Sequence, residues 1–190
     1  MIIVEDYNPE WAQTFAELRA IYLHSLQDLI ISIEHVGSTS VPGLAAKPVI
    51  DIDIVIESQN QLMPVIEKLK TLGYHHAGDL GITGREAFKR LSDLTPEDGS
   101  LRIWPKHNLY VCQQDSISLQ NHVLLRNFLL TNYEQAKEYS QLKRQLAAQY
   151  PDDIDKYIEG KTSFIINILR SNGINESNLQ SIINQNKASK

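Results

Sequence analysis

The sequence predicts an α+β fold, a small mixed β-sheet followed by a packed C-terminal helical bundle. Strand-like alternation is confined to the first 115 residues, and from Leu119 onward apolar residues recur at helical spacing. No Gly/Pro/Ser-rich linker separates the two portions. Residues 1–170 are therefore expected to form one domain, with a sheet portion at about 30–115 and a helical portion at about 119–170. Residues 171–190 are expected to be a polar, peripheral tail.

The elements follow from local chemistry. Asn8-Pro9-Glu10 reads as a helix start: a capping residue, a proline suited to the first turn and an acid that favours the helix N-terminus. Trp11, Phe15, Leu18, Tyr22 and Leu26 then recur on one face of that helix, which makes them core residues. Residues 30–36 read as a strand with Ile31, Ile33 and His35 on one side. Residues 37–47 are rich in small residues and turn formers. Residues 49–56 alternate strictly: Val49, Asp51, Asp53 and Val55 face one side, and Ile50, Ile52, Ile54 and Ile56 the other. An amphipathic helix at 59–72 stops at Gly73. Short strands are expected at 74–77, near 88–91 and at 108–113, and helices at about 119–130, 133–149 and 154–170.

Bulk properties narrow the function. The chain has 190 residues, 42% hydrophobic and 22% charged, as in an ordinary globular protein. A formal net charge of −5 argues against general nucleic-acid binding, which asks for a basic stripe. One cysteine, Cys112, excludes an intrachain disulfide and points to a reducing compartment. The N-terminus has no basic region followed by an apolar run, and no stretch approaches the ~18 apolar residues of a membrane span. A cytoplasmic protein without membrane association is the expectation; the oligomeric state is not legible.

The richest chemistry lies at His35–Ile56, HVGSTSVPGLAAKPVIDIDIVI. Aspartate is a poor strand former, so Asp51 and Asp53 inside a Val/Ile strand need a reason. Two like charges on one partly buried face are costly, and a divalent cation offsets that cost. Magnesium, or manganese, accepts one or two carboxylates together with substrate phosphate oxygens. The preceding loop supplies complementary donors. Gly37 lets backbone N–H groups turn toward an anion, Ser38 and Thr39 add hydroxyls, and Lys47 adds a point charge. The GxxxxGK[ST] spacing of a Walker loop is absent. Together these residues point to a divalent metal and a phosphate-bearing ligand.

Gly-Ser followed by Asp-x-Asp resembles the signature of the nucleotidyltransferase superfamily. The string HVGSTSVPGLAAKPVIDIDI resembles the hallmark of the GrpB-like family, as do YNPEW, GITGREAFKR, HNLYVC, LLRNFLLTN, EYSQLKRQLA and YIEGKTSFI over roughly residues 5–170. The resemblance implies a mixed sheet of nucleotidyltransferase type. It implies metal at Asp51 and Asp53, phosphate at Gly37 and Ser38, a nucleoside triphosphate or other phosphate-bearing partner, and nucleotidyl transfer to a small acceptor. Fusion of family members to dephospho-coenzyme A kinase supports an alternative, an inert ligand-binding accessory module linked to coenzyme A metabolism.

Superfamily enzymes commonly use a third carboxylate from another strand, and NLYVCQ at 108–113 has no acid. His107, at its entrance, is the expected base or ligand, since histidine titrates near neutrality. Asp79 and Glu86 are further candidates. Arg85, in a glycine-flanked stretch that resembles part of the family motif, could fork onto a phosphate. His35 is expected to hydrogen-bond within the loop, and Lys143, Arg144 and Lys161 to be mostly solvated helix cations.

Overall fold

The computed structural model describes residues 1–187. The end of the expected tail, residues 188–190, lies outside the described residues. The chain runs α1 (Glu10–Leu26), β1 (Ser32–Val36), β2 (Ile50–Ile56), α2 (Leu62–Thr71), β3 (Tyr74–His76), β4 (Arg85–Arg90), β5 (His107–Gln113), α3 (Ile117–Thr131), α4 (Tyr133–Gln149), α5 (Ile154–Ser171) and α6 (Glu176–Gln185). Each expected strand and helix is present within a few residues of its sequence bounds.

The strands form one five-stranded sheet in the order β1-β2-β5-β4-β3. β2 and β5 are parallel, and the other pairs are antiparallel. The sheet is therefore mixed. The parallel pair follows from the crossover through α2, β3 and β4 that separates β2 from β5 in the chain.

By contact, the chain divides into two compact units. A sheet unit comprises Pro9–Val36 and Val49–Gln120. A helical unit comprises Met1–Asn8, Gly37–Pro48 and the chain from Asn121 onward. The division does not fall between the sheet and helical halves of the sequence, because the β1–β2 connection packs with the helices. Val41 and Leu44 are buried among Leu129, Ala136, Tyr139 and Ile168, and Glu5 and Ala46 exchange backbone hydrogen bonds of 2.8 and 2.9 Å.

Within the sheet unit, α1 and α2 cover the isoleucine face of β2. Ile50, Ile52, Ile54 and Ile56 pack with Leu18, Tyr22, Leu26, Val65 and Leu69 in one apolar core. Ser58 starts the turn that leads into α2, its backbone N–H donating to Gln61 Oε1 at 3.0 Å. Gly73 ends that helix at φ +85°, where a Cβ would meet Thr95 Oγ1 at 2.9 Å, so both conformation and space require glycine. His35 stacks on Phe15 with ring centroids 4.5 Å apart.

Within the helical unit, the tail is less peripheral than its composition implies. Asn175 caps α6 by accepting from the Asn178 N–H, and Leu179 is fully buried against Ile166 and Leu169. Ile174, Leu179, Ile182 and Ile183 are few but fall on one helical side, which sets the docking of α6.

The core assignment has a direct test. Ile52→Ala removes a side chain with no solvent exposure, and is expected to lower unfolding free energy by about 2–5 kcal/mol. Ile31→Ala, at a site 53% exposed, is expected to stay within about 0.5 kcal/mol of wild type. Urea unfolding followed by circular dichroism measures both.

Candidate functional site

The alternation in β2 determines what each sheet face presents. Odd-numbered Asp51 and Asp53 point away from α1 and α2. In register beside them stand Asn108 and Tyr110 of β5. On the other side, Val36 and Glu34 of β1 pair with Asp51 and Asp53. Cys112 and Arg85 are paired one step further along. Side chains of directly paired residues share a face, so Glu34, Asp51, Asp53, Asn108, Tyr110 and Arg85 form one polar field on a sheet whose other side is hydrocarbon.

The two aspartates are two residues apart, about 7 Å along the strand. Asp53 has no solvent exposure. Asp51 Oδ1 accepts a hydrogen bond from Asn108 Nδ2 at 2.7 Å, which orients that carboxylate. The Arg85 guanidinium lies 4.3 Å from the centre of the Tyr110 ring. Burial, and then the negative charge of Asp51, push the Tyr110 phenol above its usual range, against the pull of Arg85. Two carboxylates are a hard-oxygen set of the kind magnesium takes when substrate phosphates complete its coordination. Among the described residues, no three His, Cys, Asp or Glu side chains form a ready-made cage.

The helical unit carries the loop chemistry. Gly37 adopts φ +69°, a conformation natural to glycine, and Ser38–Ser40 form one helical turn. Ser40 Oγ donates to the Gly37 carbonyl at 2.6 Å, which locks the turn. Lys143 of α4 reaches into it from below. Its Nζ donates to Ser38 Oγ at 2.8 Å and to the Ala45 carbonyl, and lies 4.5 Å from the centre of the Tyr139 ring. Lys143 is 1% exposed. Burial pushes its pKa down to about 6, helped by the neighbouring positive charges of Lys161 and Arg144. Near neutral pH the amine is thus largely uncharged, and its two N–H groups match the two acceptors it meets.

The expected site residues separate accordingly. Asp51, Asp53 and Arg85 share the polar face of the sheet unit. Gly37, Ser38, Thr39 and Lys47 belong to the helical unit. Thr39 is buried, and Lys47 Nζ stands 5.6 Å from the centre of the Tyr157 ring, which Lys161 also approaches, at 4.4 Å.

His107 does not stand with the aspartates on the polar face of the sheet. It pairs with Ile50 and faces the apolar core. Its Nδ1–H donates to the Pro105 carbonyl at 3.0 Å, leaving Nε2 to accept from the Tyr74 hydroxyl at 2.5 Å. Tyr22 and Tyr74 extend that buried chain with a hydroxyl contact of 2.6 Å. Desolvation pushes the imidazole down to about 4, so it stays neutral at physiological pH.

Asp79 and Glu86 are also elsewhere. Both line a cavity of about 220 Å³ with Ile56, Gln59 and Gln113, and Glu86 Oε2 is 2.7 Å from His76 Nε2. Sequence reasoning overlooked Glu34 and Asn108, whose signal is cross-strand register, and read Lys143 as a mostly solvated helix cation, whereas it is buried.

These arrangements have known relatives. Residues 1–171 match the family described as GrpB protein. The chain belongs to the GrpB family. Protein YqkA of Bacillus subtilis is 38% identical over 159 residues, which are 84% of this chain and 43% of YqkA. The chain thus spans less than half of that relative's length. The crystal structure of the GrpB protein from Enterococcus faecalis superposes with a TM-score of 0.74 at 32% identity, covering 94% of this chain and 98% of that one. The Cid1 poly(U) polymerase superposes with a TM-score of 0.51 at 11% identity, covering 76% of this chain and 44% of Cid1. This GrpB chain accordingly has structural similarity to nucleotidyltransferases.

Two pH responses follow from the buried groups. Between pH 4 and 6.5 the unfolded chain protonates His107 while the folded chain does not, so this histidine's contribution to stability falls as pH falls. Stability relative to His107→Gln is expected to drop by about 1.4 kcal/mol per pH unit across that window. Lys143 acts between pH 6 and 10.5, where the unfolded chain holds the extra proton and stability rises with pH. Lys143→Met should flatten that rise. Urea titrations at a series of pH values measure both slopes.

Proposed function

We propose that this chain binds a divalent metal–nucleotide and transfers its nucleotidyl group to a small acceptor. The observation that carries this reading is the placement of Asp51 and Asp53 on the polar side of β2, in a chain of the GrpB family with a nucleotidyltransferase-like fold. Asp51 and Asp53 would hold magnesium or manganese, with Asn108 orienting Asp51. When bound, the ion neutralises charge on phosphate oxygens and favours departure of pyrophosphate.

This chain's own residues supply the rest. Within the helical unit, taken by itself, the Gly37 backbone N–H and the Ser38 hydroxyl are donors suited to a phosphate oxygen. Lys143, held on Ser38, is placed to take up a proton. An anion beside a depressed lysine favours its ammonium form, so phosphate binding is expected to draw a proton onto Nζ. Glu34, in register with Asp53, is the acid nearest the pair by strand pairing, and takes the place that the sequence gave to His107 as candidate base. Lys47 and Thr39 support the loop by packing.

Isothermal titration calorimetry with each magnesium nucleoside triphosphate tests the reading. Wild type should bind at least one of them, and an Asp51→Asn/Asp53→Asn double variant should bind at least tenfold more weakly. Absence of binding by wild type, or equal binding by the variant, overturns the proposal. Binding without pyrophosphate release in the presence of candidate acceptors would favour the inert accessory module instead.

A second measurement isolates Lys143. Titrations at pH 7.5 in buffers of different ionisation enthalpy should show net proton uptake on nucleotide binding. That uptake should vanish in Lys143→Met.

A further inference from the structure

Arg85 is a cation on the polar face of the sheet unit that the nucleotide reading does not use. The Arg85 guanidinium carbon lies over the Tyr110 ring, 4.3 Å from its centre. The arginine Nε is buried and makes no hydrogen bond. A guanidinium carries five N–H donors in a planar fork that matches the two oxygens of a carboxylate or a phosphate. Stacking on an aromatic ring fixes the plane of that fork and leaves its edge open. An ordinary surface arginine gains little from such preorganisation, whereas a recognition residue needs it.

The register locates this fork relative to the aspartates. The rows of the face run Val36–Asp51–Asn108, then Glu34–Asp53–Tyr110–Ala87, then Ser32–Val55–Cys112–Arg85. Arg85 is therefore two strands and one same-face step from Asp53, about 12 Å between side-chain roots. That span sets the guanidinium apart from a phosphate held by metal at Asp51 and Asp53.

We infer that Arg85, stacked on Tyr110, is an oxyanion subsite for the acceptor: the acceptor is a small molecule bearing a carboxylate or phosphate several bonds from the hydroxyl or amine that reacts. This inference rests on the nucleotidyl-transfer reading for the word acceptor, but the subsite rests on Arg85 and Tyr110 alone. Arg85 positions the acceptor and takes no part in bond making. The Tyr110 ring holds the guanidinium and, paired with Asp53, stands between it and the aspartates.

Nuclear magnetic resonance on protein labelled in its tyrosine rings and arginine Nε tests the subsite. The probes are glycerol 3-phosphate, succinate and neutral glycerol, added to wild type, Arg85→Gln and Arg85→Lys. Glycerol 3-phosphate or succinate, or both, should shift the Tyr110 ring and Arg85 Nε–H signals saturably, and glycerol should not. The anion that saturates at lower concentration identifies the group. Arg85→Gln should weaken the Tyr110 response at least tenfold, and Arg85→Lys, which keeps the charge but loses the fork, should fall between. Titration of the same samples with magnesium nucleotide should give affinities for Arg85→Gln within about twofold of wild type. No saturable shift with either anion, or an equal response in Arg85→Gln, overturns the subsite. A tenfold loss of nucleotide affinity in Arg85→Gln assigns the arginine to the nucleotide and overturns its acceptor role. If wild type binds no nucleotide yet the anion response holds, the nucleotidyl-transfer reading fails and the Arg85 oxyanion site stands without it.

Discussion

Everything on the sheet unit depends on the two-residue period of β2. Its isoleucines must be buried, and a strand cannot bury alternate residues without presenting the others on its opposite side. Burial of Ile50, Ile52, Ile54 and Ile56 under α1 and α2 therefore holds Asp51 and Asp53 on the far side with the full rigidity of the core. A slip of one residue would place carboxylates in hydrocarbon and isoleucines on the polar face, so register and chemistry are protected by the same apolar energy. The parallel pairing with β5 then brings Asn108 and Tyr110 alongside, and β4 adds Arg85.

The same logic explains where histidine chemistry went. β5 has the same alternation, and His107 falls in step with the isoleucines. An imidazole there must be neutral and fully hydrogen-bonded, and the Pro105 carbonyl and the Tyr74 hydroxyl meet both requirements. The Tyr22–Tyr74–His107 chain thus specifies how α1, β3 and β5 pack, a structural task for residues that look chemical in the sequence.

The helical unit shows the converse. Lys143 looks structural in the sequence, one basic residue among several on a polar helix, yet it is buried with its amine on the motif serine. A lysine held mostly neutral at physiological pH is poised to respond to an anion, because a negative charge nearby returns the proton that burial removed. The loop 37–48 belongs to this unit through Val41 and Leu44, so its conformation is set by helix packing rather than by the strands it joins. The GrpB family membership and the nucleotidyltransferase likeness give these features a common frame, and the residues themselves supply the chemistry.

By itself the sequence determined the element types, the mixed α+β class and the facing of Asp51 and Asp53, because strand period and helical spacing are local and can be counted along the chain. It also marked Gly37 and Ser38 as a special turn, since positive φ and small hydroxyls have a local signature. Only the tertiary structure decided which residues meet those groups. Glu34, Asn108 and Arg85 reach the aspartate face through cross-strand register, Lys143 reaches Ser38 across 105 residues of chain, and His107 is turned into the core by a single step of phase. The apolar residues of the 37–48 loop and of α6 are too few to announce their partners, so the division into units and the docking of α6 also waited on packing. The physical reason is the same throughout: intrinsic periodicity is written in neighbours along the chain, whereas charge, burial and pKa are set by neighbours in space.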